Sequence, residues 1–460
     1  MIGVASRLPE VPMSSPPGRS LSIATRLAYG APIFAIAYPL FFLQFYFLKF
    51  ATDVLLLSPA LVGALFALAR VWDAVNGPLV GSFSDRSRSR LGRRRPFLLA
   101  ALPLLTLASI ALWSVPHGIT GSLEVAWIAA SLFLFFTAFD LYTLPHFALG
   151  AELSRDSHER TQLFAVRQIS FTIGILLAFV AIQRAMNAAD PRGAVAEIAL
   201  PAAIASALLL AIPPLFLREP HAGRVAGGRG IASAFRDVVA TRTARLLLLV
   251  WFLENAAFGA VGTMGPYLAQ YVLHRPDLVG VLSGAYVIAG VLSIPLWVRI
   301  ARSAGRRDTW LAAMVLAALA FGGLWFVRPA DVRLTVVLLA LAGSATGCGG
   351  VLSSALLADV IDADEQRTGE RKEGVYSAAM TLVLKLGTSL STAASGVVLT
   401  AMGFAPNVEQ SAESLLGIRF LFAGLPFLGF VAGILVFRSF PRDGATAMVP
   451  GPALRAPSAP

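Results

Sequence analysis

Long apolar blocks, separated by short polar loops, recur along nearly the whole chain. Each block has about 20 residues or more, the length that an α-helix needs to cross the hydrocarbon core of a bilayer. The pattern therefore predicts twelve membrane-spanning helices, at residues 27–50, 59–83, 96–115, 125–149, 162–184, 194–217, 245–272, 278–300, 309–327, 334–361, 375–402 and 419–438.

The composition is typical of an integral membrane protein, since 57% of the residues are hydrophobic, 14% are charged and the mean hydropathy is +0.73. Residues 1–25 contain Pro, Ser and Arg but no apolar core, so we expect a disordered cytoplasmic N-terminus and no cleavable signal peptide. We expect residues 441–460 to be a disordered cytoplasmic tail. Because Cys348 is the only cysteine, the chain has no internal disulfide and no cysteine metal cluster.

The net charge of +11 does not indicate nucleic-acid binding, because the basic residues lie in alternate loops rather than on one soluble face. If both termini are cytoplasmic, the cytoplasmic loops carry 21 Lys or Arg and the opposite loops carry 5. The positive-inside rule then predicts a protein of the cell inner membrane with both termini in the cytoplasm. Anionic lipid headgroups are the expected partners of the excess positive charge.

The longest polar connection divides the chain in two. We predict an N-terminal six-helix bundle at 26–217, a cytoplasmic linker at 218–244 with a short interfacial helix near 231–239, and a C-terminal six-helix bundle at 245–440. An internal repeat supports this division. ALGAELSRDSHERT, which begins at Ala148, aligns without gaps with ALLADVIDADEQRT, which begins at Ala355, and five of fourteen positions are identical.

Two ionisable residues stand out inside apolar helices. Asp73 lies about ten residues from the cytoplasmic end of its helix, where an unpaired charge costs about 2.5–3.5 kcal/mol or more. It therefore needs a partner or a proton, and Arg70, one helical turn earlier, offers a static ion pair as the simplest explanation. Lys385 lies in the middle of helix eleven in a chain with three lysines and thirty-four arginines. It lies too deep for easy snorkelling to an interface, and we expect it to reach toward Asp73 across a central cavity.

Several segments resemble known transporters. Asp85, Arg86 and the GRRR run from Gly92 are similar to the loop between helices two and three of the major facilitator superfamily. WDAVNGPLVG, YTLPHFALGAELSRDSHERT, ADVIDADEQRTGERKEGVYSA and GFAPNVEQSAESLLG resemble the glycoside-pentoside-hexuronide:cation symporters, the family of melibiose permease. The resemblance implies an all-α membrane fold of twelve helices in two pseudo-symmetric six-helix bundles. It also implies alternating access to a site between them.

The same resemblance assigns roles to individual residues. Asp73 matches the cation motif of helix two, and Lys385 matches a lysine beside the cation site. Arg167 matches a cavity arginine, and Phe147 takes the place of a tryptophan that stacks on the sugar ring. Tyr142 and His146 lie on the same segment as Phe147, and we include them as candidate substrate contacts, although a lone polar residue beside a proline, such as His146, more often just satisfies a kinked backbone.

The departures from the family pattern change the expected coupling ion. The second carboxylate of the cation motif is replaced by Gly77, an acid of helix four by Thr143, and the sugar-contacting acid of helix one falls near Ala37. Sodium prefers several hard oxygen ligands, so we favour H⁺ over Na⁺ as the coupling ion, and uncoupled transport stays open. Asp140, one turn before Thr143, is a candidate replacement for the lost acid.

Other candidates lie in the second half and at the helix ends. Glu254 and Asn255 lie inside helix seven, where the glutamate is either a substrate contact or a second proton carrier. Acids and arginines near the cytoplasmic ends of the helices are predicted to pair when the transporter faces outward and to separate when it opens inward. These candidate gate residues are Asp85, Arg86, Arg94, Glu152, Arg306, Asp359 and Asp362.

The sequence thus predicts a secondary active transporter of a small solute, with a sugar or glycoside favoured. A lipid, lysolipid or other organic-solute carrier on the same fold is the alternative, since helix one carries no acid between Leu27 and Thr52. A membrane enzyme is disfavoured because no nucleophile lies at helical spacing from a base and four of the five histidines fall in loops. We expect no cofactor, no metal site and a monomer.

Overall fold

The computed structural model describes residues 21–441 apart from 88, 155, 218, 220–235, 237 and 371, and in these residues all regular structure is helical. Twelve spans account for nearly all of it: α1 Ile23–Asp53, α2 Pro59–Arg86, α3 Arg95–Trp113, α4 Ser122–Leu153, α5 Ser157–Met186, α6 Pro191–Phe216, α7 Arg242–Val272, α8 Pro276–Leu292 with Ile294–Ala304, α9 Arg306–Leu324, α10 Val332–Thr368, α11 Glu373–Ala401 and α12 Ala412–Phe437. Eleven are long and apolar enough to cross a membrane on their own, and the bent α8 completes the twelve. The predicted interfacial helix near 231–239 and the two termini lie largely or wholly outside the described residues.

Most helices run further than their apolar blocks. The apolar block of α10 ends near residue 361, whereas the helix continues to Thr368 and ends at Gly369, whose φ of 70° is left-handed. At a rise of 1.5 Å per residue, its 37 residues extend about 56 Å, well beyond a hydrocarbon core of about 30 Å. Periodicity detects the part of a helix within lipid and misses the part that enters water.

Local sequence explains where helices begin and bend. Ser58 and Asp156 cap α2 and α5 by accepting hydrogen bonds from the backbone N–H groups of Leu61 and Glu159, at 3.2 and 2.8 Å. Pro32 lies in a 3₁₀ turn at Ala31–Ile33 that interrupts α1. The two pieces of α8 meet at an angle of 43° on either side of Ser293, immediately before Ile294 and Pro295.

The first six and the last six helices meet along three pairs: α1 with α7, α2 with α11 and α5 with α8. Two glycines allow the closest approaches. A Cβ atom on Gly396 of α11 would lie 2.2 Å from the carbonyl oxygen of Pro59, and one on Gly262 of α7 would lie 2.0 Å from the Phe45 ring of α1. Small residues at such contacts bring helix backbones together in membranes, where dispersion replaces the hydrophobic effect. This close packing brings polar side chains of α1, α2, α4 and α11 into one region.

We name the two ends of the bundle by their loops. The basic face carries the loops after α2, α4, α8 and α10, where most arginines lie, and the opposite face carries the loops after α1, α3, α5, α7, α9 and α11. Glu219, just after α6, accepts hydrogen bonds from the backbone N–H groups of Arg93, Arg94 and Arg95 at 2.7–2.8 Å. Its carboxylate satisfies three donors at the start of α3, a contact that the sequence pattern did not predict.

Candidate functional site

Lys385 lies between two carboxylates of the first six helices. Its Nζ is 3.0 Å from Asp73 Oδ1 of α2 and 3.2 Å from Asp140 Oδ1 of α4. The contact with Asp140 has hydrogen-bond geometry, whereas the contact with Asp73 is an ion pair without it. Asp73 is 0% exposed, Asp140 is 1% exposed and the Lys385 side chain is 19% exposed. One cation of the last six helices therefore joins two buried acids of the first six.

Arg70 supplies the second positive charge of this cluster. Its Nη1 lies 3.3 Å from Asp73 Oδ2, as the one-turn spacing predicted, and its Nη2 donates to Gln44 Oε1 at 2.5 Å. Gln44 of α1 in turn donates to Thr392 Oγ1 of α11 at 3.3 Å. With both acids ionised, the central cluster of Asp73, Asp140, Arg70 and Lys385 has two negative and two positive charges, so it is balanced.

Asp140 fills the space beside Gly77. A Cβ atom built on Gly77 would lie 3.4 Å from Asp140 Oδ2, and Asn76 Nδ2 donates to the same oxygen at 3.4 Å. Thr143, by contrast, donates to the backbone carbonyl of Phe139 at 2.9 Å and forms no hydrogen bond with Asp73 or Asp140. Of the two helix-four candidates for the ion site, the structure brings Asp140 to Lys385, whereas Thr143 forms a local hydrogen bond with the backbone.

Tyr142 and His146 lie inside the helix packing, away from a cavity surface. His146 is 1% exposed, its ring stacks on Tyr29 with centroids 4.4 Å apart, and its Nε2 lies 3.1 Å from the Tyr29 carbonyl oxygen. Tyr142 is fully buried and donates to the Leu210 carbonyl at 2.9 Å. In this conformation α1 and α6 cover the two rings, and their role as substrate contacts stays a prediction.

Arg167 and Phe147 form a separate pair between α4 and α5. The Arg167 guanidinium carbon lies 5.1 Å from the centroid of the Phe147 ring, and Phe147 is 50% exposed. Arg167 Nε and the buried Tyr29 hydroxyl have no hydrogen-bond partner in the described part of the chain. A cation with unused donors beside an exposed ring is suited to a ligand with an apolar ring face and oxygen acceptors.

Glu254 and Asn255 face neighbouring helices. Glu254 Oε1 accepts from Trp310 Nε1 of α9 at 2.7 Å, and Glu254 Oε2 lies 2.3 Å from where a Cβ of Gly349 would be. Asn255 Nδ2 donates to the Trp251 carbonyl at 2.7 Å. Both residues are more than 90% buried, so in this conformation neither is placed to contact a substrate.

The candidate gate residues pair within each set of six helices. Arg94 Nη2 lies 2.6 Å from Glu152 Oε1 and Arg94 Nη1 lies 3.2 Å from Asp85 Oδ1, while Arg306 Nη1 lies 2.6 Å from Asp359 Oδ1. Arg86 and Asp362 are exposed. Sequence reasoning chose Asp362, but the buried acid of that turn is Asp364, which pairs with Arg367 at 2.7 Å and lies 3.7 Å from Lys372 Nζ.

A second buried polar cluster lies at the opposite face, and sequence reasoning missed it. Lys49 of α1 pairs with Asp53, one turn later, and Tyr271 of α7 donates to the same carboxylate. Thr52 Oγ1 lies 2.7 Å from the Tyr267 hydroxyl, and Asn407 Nδ2 donates to the Asp53 carbonyl at 2.7 Å. These residues, which we call the opposite-face cluster, bind α1 to α7 and to the loop before α12. The available signal was a lysine four residues before an acid in a chain with few lysines.

The described residues contain no group of three or more His, Cys, Asp or Glu side chains that could hold a metal ion. The charged groups at the centre are instead neutralised by one another.

Comparison with known proteins gives a consistent result. The model of a family described as MFS/sugar transport protein matches residues 28–444. The chain is 28% identical to an uncharacterized symporter of Synechocystis (92% of this chain, 94% of the relative), and 25% identical to the isoprimeverose transporter of Lactiplantibacillus pentosus (88% and 86%). It is also 28% identical to a putative sulfoquinovose importer of Escherichia coli (87% and 86%).

Solved structures show the same fold. A D-xylose-proton symporter superposes with a TM-score of 0.67 at 15% identity, covering 92% of this chain and 99% of that one. The nucleoside transporter NupG gives a TM-score of 0.63 at 15% identity, covering 90% and 100%. At these identities the likeness concerns the arrangement of the helices in two bundles of six.

Proposed function

Because the chain belongs to the MFS/sugar transport protein family and is a membrane transporter, we propose that it is a symporter of a small sugar or glycoside, driven by a cation, with H⁺ favoured over Na⁺. The observation that carries this proposal is the position of Lys385, 3.0 Å from Asp73 and 3.2 Å from Asp140. An ion pair between the two bundles links the protonation of a carboxylate to their relative position.

The charge balance of the central cluster supports the preference for protons. Protonation of Asp73 or Asp140 removes one negative charge and frees Lys385 from one partner. A sodium ion needs several oxygen ligands, but Lys385, Arg70 and Asn76 already contact the carboxylate oxygens. Sodium would have to displace these donors, whereas a proton binds to one oxygen.

The two ends of the molecule support alternating access. The opposite-face cluster joins the bundles, and the pairs of Arg94 and Arg306 on the basic face lie within one bundle each. We assign the basic face to the cytoplasm by the positive-inside rule, so this conformation is closed toward the outside. Opening outward requires the opposite-face cluster to break, and the arginines of the basic face are then free to exchange partners between bundles.

Arg167 and Phe147 are the proposed substrate contacts. The exposed Phe147 ring offers a face on which a sugar ring stacks, and the Arg167 fork donates to hydroxyl or acid oxygens. The names of the relatives, which include an isoprimeverose transporter and a putative sulfoquinovose importer, agree with a sugar-sized ligand.

Uptake into proteoliposomes tests the proposal. Purified protein is reconstituted, and labelled sugars and glycosides are offered with a pH gradient alone, a sodium gradient alone, or neither. We expect accumulation with the pH gradient only. Accumulation driven solely by sodium refutes the preference for protons. If lysolipids and not sugars raise the melting temperature in a parallel ligand screen, the sugar assignment is wrong and the lipid alternative replaces it.

A further inference from the structure

A groove on the outer surface of the first six helices plays no part in the proposed transport mechanism. It lies between α1, α5 and α6 and encloses about 560 Å³. Its walls are mostly apolar and include Phe34, Tyr38, Leu177, Val180, Pro201 and Leu209. Leu177 and Val180 are 43% and 65% exposed, so this surface is turned away from the interior of the bundle. In a membrane, such a surface meets lipid.

The groove has the depth of one leaflet. Along α6 it extends from Glu197 to Leu209, twelve residues or about 18 Å. Half of a hydrocarbon core of about 30 Å is about 15 Å, the depth that one acyl chain occupies. The end nearer the opposite face holds two charged residues, Arg184, two residues before the end of α5, and Glu197, in the second turn of α6. The apolar part is therefore placed for an acyl chain and the charged part for a headgroup.

Arg184 and Glu197 are both exposed and unpaired. Within the described part of the chain, neither takes part in an ion pair or a side-chain hydrogen bond, although they line the same groove. A carboxylate that faces lipid one and a half turns inside a membrane helix is costly unless a cation meets it. Among the described residues no cation pairs with Glu197, so a ligand that fits this groove would supply a cation for Glu197 and an anionic group for Arg184.

We propose that the groove binds a phospholipid with a phosphate and a primary ammonium group, that is, phosphatidylethanolamine. The phosphate accepts hydrogen bonds from Arg184, the ammonium donates to Glu197, and one acyl chain lies along the apolar wall. Phosphatidylglycerol has the phosphate but no cation, so it leaves Glu197 beside a second negative charge. Phosphatidylcholine has a cation without N–H donors, so its contact with the carboxylate is weaker.

Lipid binding is measured without reference to transport. The purified full-length protein is mixed with equal amounts of phosphatidylethanolamine, phosphatidylglycerol and phosphatidylcholine, and the lipids retained are counted by native mass spectrometry. We expect the wild type to retain phosphatidylethanolamine several-fold over the other two. Glu197→Gln should remove the discrimination against phosphatidylglycerol. Arg184→Gln should weaken the retention of all three lipids, because each carries a phosphate. Arg333→Gln, an exposed arginine at the same face on α10, is the matched control and should match the wild type.

The loss of discrimination in Glu197→Gln separates a specific site from general solvation by lipid. A variant that fails to fold loses all retained lipid and its melting transition in detergent, whereas Glu197→Gln is expected to keep both and to change only which lipid is held. Equal retention of the three lipids by the wild type overturns the proposal. Unchanged selectivity in Glu197→Gln also overturns it, and neither result bears on sugar transport.

Discussion

The substitution Asp73→Asn tests the coupling mechanism most directly. It removes one of two negative charges from a cluster in which Lys385 lies 3.0 Å and Arg70 3.3 Å from this carboxylate. Asparagine has nearly the same shape, and Asp140 remains 3.2 Å from Lys385, so the helices keep a contact between the bundles. The variant lacks the Asp73 carboxylate that can accept a proton. Its central cluster therefore carries the same charge as the wild-type cluster with Asp73 protonated. We therefore expect it to behave as a permanently protonated transporter.

The size of the effect follows from the charge count. One titrating carboxylate in a balanced cluster predicts one proton per sugar. Without a membrane potential, a pH difference of about one unit is worth about 1.4 kcal/mol per proton, or about a tenfold accumulation of sugar. Asp73→Asn should reduce this accumulation ratio to about one, while exchange of labelled against unlabelled sugar continues because exchange needs no net proton movement.

The assay is uptake into proteoliposomes with an imposed pH gradient and valinomycin-clamped potential, followed by counterflow in the same preparation. Glu409→Gln, an exposed acid in the loop before α12, serves as the matched control and should accumulate sugar like the wild type. If Asp73→Asn still accumulates sugar about tenfold, Asp73 is not the coupling group. If it loses counterflow as well, the carboxylate is needed for binding or folding, and the comparison of melting temperatures tells these two apart.

Three further substitutions test other parts of the site. Lys385→Arg should abolish uptake, since a planar guanidinium cannot replace an ammonium placed between two carboxylates, and normal uptake would mean that Lys385 only supplies charge. Gly77→Asp together with Asp140→Asn moves the second acid onto α2 and should restore much of the uptake that Asp140→Asn alone loses. If the double variant loses as much uptake as Asp140→Asn alone, the position of the acid matters as well as its presence. Lys49→Met leaves the buried Asp53 carboxylate without its ion-pair partner, at a cost of about 3–5 kcal/mol. A cysteine introduced behind this closed face should therefore be labelled more strongly by a reagent added from outside. Adding Asp53→Asn should return the labelling toward the wild-type level. Unchanged labelling of Lys49→Met would contradict its role in closing that face.

The twelve spans and the fold followed from the sequence because both rest on local quantities. Apolar length, arginine-rich loops and prolines at helix starts are properties of neighbouring residues. The i, i+3 pair of Arg70 with Asp73 was accessible for the same reason. The ends of α10 were not, because a helix that continues into water loses its apolar signal before it ends.

The features of the site that the sequence pattern did not predict depend on contacts between distant segments. His146 and Phe147 are adjacent in sequence, yet one is buried against Tyr29 and the other is half exposed, since successive helical residues point about 100° apart. Which of them faces a cavity depends on α1, whose position a local pattern does not specify. The opposite-face cluster was missed likewise, because two of the partners of Asp53, Tyr271 and Asn407, lie more than 200 residues away.

The contact between α2 and α11 links packing to charge. Near the opposite face these helices touch through Gly63 and Gly396, with almost no room for side chains, and three turns further along α2 they are joined by Asp73 and Lys385. A glycine contact is rigid and does not change with protonation, whereas the ion pair between Asp73 and Lys385 requires an ionised carboxylate. When Asp73 loses its charge, the helices keep the glycine contact and lose attraction only toward the middle of the membrane. We therefore expect the bundles to rotate about the glycine contact when Asp73 is protonated, with the larger movement at the end where Lys385 lies.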